Sequence, residues 1–151
     1  MAIVQSMPTS FKAQVLLAVH DFRPVGDTFK LALYTSLAVL DATTLAYTPV
    51  NEAVGVGYPA GGGTLVNQGV TSGGTTGFTD FADLTFPSAT ITARGALIYN
   101  TTPSALDNAG GVLVNPACAV LDFGSDKTST AGDFSIIFPA PAAATAIIRI
   151  A

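Results

Sequence analysis

The chain carries very little charge. Of its 151 residues, 6 are Lys or Arg and 10 are Asp or Glu, so ionic side chains make up 11%, where an average soluble domain has about 25%. The basic residues, Lys12, Arg23, Lys30, Arg94, Lys127 and Arg149, are scattered and form no run. Nucleic acid requires a phosphate-facing basic patch and an anionic membrane requires a similar cluster, so neither is expected as a partner. Cys118 is the only cysteine, which excludes an intrachain disulfide. With His20 the only histidine, structural zinc is excluded as well. Tryptophan is absent, which weakens a sugar-binding reading built on loop aromatics such as Tyr47 and Tyr58. No apolar run is long enough for a transmembrane helix: the longest, 134–151, is broken by Pro139 and Pro141 and carries Arg149. The first residues, 1–8, lack the basic n-region of a signal peptide, so the expectation is a protein made and used without export.

Apolar residues make up 49% of the chain, alongside 15 Gly, 9 Pro and many Thr and Ala. A surface so poor in ions is either wetted by Thr, Ser and Asn or is meant to be covered. The length predicts one domain, enough to bury a real core. It divides into an N-terminal arm (1–9), a helix (10–22) and a β domain (28–151). Ser10 can cap the helix, Phe11, Val15, Leu16 and Val19 fall at helical spacing with Leu17 and His20 widening the stripe, and Pro24 and Gly26 end it. Period two then takes over. Residues 28–35 put Phe29, Leu31 and Leu33 on one face and Lys30, Ala32 and Tyr34 on the other. Residues 78–86 and 89–99 read as strands separated by Pro87-Ser88. In the second, Ile91, Ala93, Gly95, Leu97 and Tyr99 share a face, opposite Thr90, Thr92, Arg94 and Ile98. Further strands are expected over 117–123, 133–138 and 144–150, the first two separated by a polar turn at 124–132, with a weaker one at 64–70. The loops 41–63 and 100–116 are long enough to be functional. The pattern predicts an all-β, single-domain β-sandwich or jelly-roll-like fold with one short N-terminal helix and long loops.

The chemical inventory does not predict an enzyme or a cofactor. His20 reads as a packed helix residue, and a Cys118–His20 nucleophile pair would depend on one specific contact. Asp80 and Asp83 stand an odd number of residues apart, on opposite faces of a strand, and Asp122 and Asp126 flank a turn. Both pairs read as strand-end and turn residues. Asp122, Ser125 and Asp126 could hold a cation, but without the ligand series of an EF-hand. Neither 55–57 nor the glycine run 61–63 is followed by the Gly-Lys-Ser/Thr of a phosphate loop.

Several phrases carry a resemblance. Phe11-Lys12 with Val19-His20-Asp21-Phe22, then Gly26-Asp-Thr-Phe-Lys-Leu-Ala-Leu-Tyr-Thr-Ser36, resemble small virion structural proteins of tailed bacteriophages. So do Phe81-Ala-Asp-Leu-Thr-Phe86, Ala89-Thr-Ile-Thr-Ala-Arg-Gly-Ala-Leu-Ile-Tyr-Asn100 and Asp122-Phe-Gly-Ser-Asp-Lys-Thr-Ser-Thr-Ala-Gly-Asp-Phe134. The resemblance implies a virion protein assembled in the bacterial cytoplasm, with a capsid cement or decoration protein the reading of choice. Such a protein braces major capsid subunits and forms homo-oligomers. A tail component (tube, tip or fibre) and a carbohydrate-binding module for host attachment are the alternatives. On the cement reading, the partner contacts would come from Tyr47, Pro49, Tyr58, Pro59, Pro103 and Leu106 in the loops. Ile3, Val4 and Met7 would contribute from the arm.

Overall fold

A computed structural model describes residues 2–102, 107 and 109–151. The elements are α1 (Thr9–Leu16), β1 (Phe29–Tyr34), β2 (Gly63–Thr64), β3 (Asn67–Gly73), β4 (Thr76–Phe81), β5 (Leu84–Asn100), β6 (Ala117–Ile136) and β7 (Ile148–Ile150). They make two antiparallel sheets, β2-β1-β5-β6 and β3-β4-β7, in a sandwich-like arrangement. The expected all-β class with one short N-terminal helix is what the chain adopts.

The larger sheet is apolar on both sides, as the alternation in β1 dictates. Phe29, Leu31 and Leu33 enter the main core with Phe81, Phe86, Ile98, Phe134 and Ile148. Ala32 and Tyr34 enter a second core with Leu97, Tyr99 and Val120, roofed by Ile3, Ala38 and Leu40 from the arm and the 35–63 loop. Each large side chain buried this way contributes about 1.5–3 kcal/mol before ordering costs.

Three local expectations are corrected. The helix stops at Leu16 instead of reaching residue 22, because Ala18 adopts a left-handed φ of 56° and the Val19 amide closes back onto the Gln14 carbonyl. Its N-cap is Pro8, so Ser10 lies within the first turn, and its buried face is Phe11 and Gln14, leaving Leu16 89% exposed. Pro87-Ser88 does not divide two strands. It forms a bulge inside β5, with Ser88 at φ 51° and its amide bonded to the Asp133 carboxylate, which suits a proline that has no N–H to give a ladder. The polar stretch 124–132 is likewise no turn. It runs within β6, where Thr128 pairs with Thr92 and their hydroxyls meet at 2.8 Å.

Bulges also overturn the expected faces of β5. The register shifts between Ala93 and Gly95. Ile91 and Ala93 therefore share the main core with Ala96 and Ile98, while Leu97 and Tyr99 point to the other side. The C-terminal strand shrinks from the expected 144–150 to Ile148–Ile150.

Candidate functional site

The loop 41–63 was the leading candidate contact surface, and its two tyrosines turn inward. They converge on Glu52, the only glutamate in the chain. Tyr47 donates its hydroxyl to Glu52 Oε2 at 2.7 Å, and Tyr58 donates to Oε1 at 2.7 Å. The Gly61 amide donates to the same Oε1 at 2.7 Å. Tyr58 also accepts the Leu33 amide of β1 at 2.8 Å, which ties the loop to the sheet. Tyr99 donates to the Gly61 carbonyl at 2.6 Å and stacks on Tyr47 with ring centroids 4.7 Å apart. Tyr34 donates to the Thr48 carbonyl. Every tyrosine of the chain therefore belongs to one network. Burial, with the nearby carboxylate adding to it, pushes Tyr99 up to about 12 and the other three higher still. The hydroxyls stay protonated and act as donors, a bracing role rather than an acid–base one.

What the loop offers to solvent is aliphatic. Pro49 and Pro59 are exposed, and beside them stand Val50, Val54 and Val56, with Val54 90% exposed. Leu37 and Val39 are exposed just before the loop. Leu45, Val112 and Val114 are exposed as well, Leu45 where 45–47 pairs with 115–117. In the arm, Ile3 is buried and bridges Leu40, Ser6 bridges Val120, and Met7 packs half-buried on the main core. Val4 alone of the three arm candidates faces outward. Pro103 and Leu106 lie outside the described residues.

On the opposite side of the large sheet, the contact that a Cys/His pair would need is present. The Cys118 sulfur lies 3.9 Å from His20 Nδ1. His20 Nε2 is 2.8 Å from Gln14 Oε1, and Nδ1 is 3.0 Å from Asn100 Nδ2. Asn100 Nδ2 also donates to Asp27 Oδ2 at 2.7 Å. A carboxylate only accepts, so the Asn100 amide nitrogen must face Asp27 and Nδ1 must be the acceptor. The proton of the imidazole is then on Nε2, directed at Gln14. Burial lowers the His20 pKa to about 4 against a smaller opposing pull from Asp27. Burial also pushes the fully enclosed Cys118 thiol well up. Both shifts oppose a thiolate–imidazolium pair, so the arrangement is a neutral hydrogen-bonded cluster.

The remaining candidates are engaged locally. Asp122 forms an ion pair with Arg94 at 3.1 Å and accepts the Gly124 amide; the Arg94 hydrogen bond holds its carboxyl below the usual range. Its carboxylate is thus engaged by a guanidinium, and Asp126 is exposed. Asp83 accepts the Phe138 amide, and buried Asp80 accepts the Phe81 amide, with burial raising its pKa. Among the described residues no group of three His, Cys, Asp or Glu side chains could hold a metal ion. A groove of about 320 Å³ runs between α1 with the following segment and the small sheet, lined by Val15, His20, Phe78, Ile148 and Ile150 among others.

Two clusters escaped sequence reasoning. Both are assembled from residues far apart, Gln14 with Asn100 and Tyr34 with Glu52. The usable signal was a single Glu amid four Tyr in a chain nearly devoid of charge. No family model, curated protein or solved structure matches this chain.

Proposed function

We propose that this protein is a structural component of a tailed-phage virion, a cement or decoration protein. It binds the outer head surface and holds neighbouring major capsid subunits together. The observation that carries the reading is the surface. In a chain with 11% charged residues, large aliphatic side chains stand exposed in and beside the two long loops, Leu37 and Val54 at 73% and 90% among them. Interface cores are depleted of charge, and apolar area removed from water contributes about 25 cal/mol per Å² before ordering costs. The 41–63 loop is braced from beneath by Glu52 and the tyrosines, so little ordering of it would be left for the moment of docking. The contact residues would be the valines and leucines, with Pro49 and Pro59, and the loop tyrosines would hold them in place. Repetition on a lattice turns weak single contacts into a durable coat, and self-association at a lattice symmetry axis fits the same surface.

Purified protein added to expanded heads that lack it should bind in hundreds of copies and raise the temperature at which heads rupture. Substitution V54D with V56D should abolish binding while leaving the fold intact. Heads equally robust without the protein, or antibody labelling confined to tails, would overturn the assignment to the head.

A further inference from the structure

We propose that the His20 cluster is an acid-operated latch. A second proton on the imidazole releases residues 11–27 from the large sheet and opens the groove beside Phe78 and Ile148. The geometry offers that proton no acceptor stronger than a thiol sulfur. Nε2 already carries one, donated to Gln14. A second would sit on Nδ1, which faces the amide N–H of Asn100 at 3.0 Å and the Cys118 sulfur at 3.9 Å. Asn100 cannot turn its oxygen to meet it. That oxygen accepts the Thr102 amide, and the nitrogen is held by Asp27. A turned amide would set oxygen against carboxylate. Asn100 is fully buried, so water cannot take the place of either partner.

The groups around the ring are few. Gln14 and Phe11 face it from α1, and Asp27 and Phe22 from the segment that follows. Asp21 lines the same groove but is paired outward with Arg23. Phe29 faces the ring from β1, Asn100 from β5 and Cys118 from β6. Across the groove, on β7, Arg149 directs its guanidinium to the carbonyls of Ala143 and Ala144. Asp27 is the one anion close enough to favour protonation, and its effect is the smaller one. His20 ties α1 and the segment that follows it to β5 and β6 at a single ring, so loss of its bonds frees 11–27 while the strands keep their own ladders.

The sign follows from linkage. Closed, the imidazole resists protonation down to about pH 4, and free of its burial it titrates near 6.5. As pH falls through that window, only the open form gains the proton. The ratio of open to closed therefore rises about twentyfold between roughly pH 7 and pH 5.

The sole histidine gives an unambiguous imidazole NMR signal, and amide exchange can be followed in the same samples of the full chain. Protection factors over 11–27 are expected to fall about twentyfold across that pH range, while residues 96–99 and 118–121 keep theirs. The His20→Asn variant, whose side-chain oxygen can replace Nδ1 as acceptor but takes up no proton, should remove the pH dependence. Wild-type protection that stays constant over 11–27, or that falls equally throughout the large sheet, would overturn the latch. So would a His20→Asn protein that opens with the wild-type pH profile. Should that variant not fold, the wild-type exchange pattern decides alone.

Discussion

At the scale of single residues, Glu52 shows how a chain with few ions uses one. Its carboxylate is buried without a cation among its hydrogen-bond partners, accepting instead from Tyr47, Tyr58 and the Gly61 amide. Hydrogen bonds to a charged group contribute more than neutral ones, about 1.5–3 kcal/mol each. Glu52→Gln keeps the shape but sets an amide N–H against a tyrosine hydroxyl that has been donating. It should lower stability by about 2 kcal/mol in urea unfolding. Tyr58→Phe leaves the buried Leu33 amide without its acceptor and should cost about 1–2 kcal/mol. Glycines separate in the same way. Gly62 has φ 76°, and an added Cβ would lie 1.8 Å from the Leu31 carbonyl oxygen, whereas Gly74 at φ 59° meets nothing within 4 Å. Gly62→Ala should cost more than about 3 kcal/mol and shift the loop, while Gly74→Ala should cost about 1 kcal/mol, both read as changes in denaturation midpoint.

At the scale of elements, the sequence was most informative where a residue's neighbours in the chain decide its place. The strand at 29–34 is legible because its alternation is regular and no bulge interrupts it. The helix start near Phe11 is legible from apolar spacing. Its end is not, because nothing about Ala18 announces a left-handed residue. The faces of β5 were misassigned beyond Ala93 for a similar reason. One register shift exchanges inside and outside, and a bulge depends on the partner strand. The segment 124–132 has the composition of a turn, yet it pairs because β5 lies opposite with Thr92 and Ala89 at matching positions. In the 41–63 loop the sequence shows which residues are apolar and aromatic but not which way they point. The 41–63 loop does carry exposed apolar side chains, but its aromatic rings bond inward to Glu52, whose rarity is the one hint that composition holds.

At the scale of the whole molecule, cohesion comes from apolar burial and hydrogen bonds. Among the described residues only two ion pairs occur, Arg23–Asp21 and Arg94–Asp122, both with solvent-accessible side chains. Exposed pairs contribute little and are screened by salt. Raising sodium chloride from about 0.05 to 0.5 M should therefore change the unfolding free energy by less than about 0.5 kcal/mol. A much larger loss would point to electrostatic support beyond these two pairs. The same low charge that makes the fold indifferent to salt leaves little to keep exposed valines apart in solution. Sedimentation at rising protein concentration should accordingly show self-association that persists at high ionic strength.

The gathering of all four tyrosines around Glu52, in a chain without tryptophan, also fixes what ultraviolet light can see. Tyrosine emission arises only from rings that touch the 41–63 loop or the strands beneath it. Phenols bonded to a carboxylate are dimmed, so emission should brighten when the loop lifts, even while the backbone dichroism of the sheets is unchanged. The opposite side of the molecule, around His20, is dark to this probe. The rings packed on His20 are phenylalanines, so the imidazole signal reports on surroundings that tyrosine emission does not, although Tyr58 also packs on Phe86 of the main core.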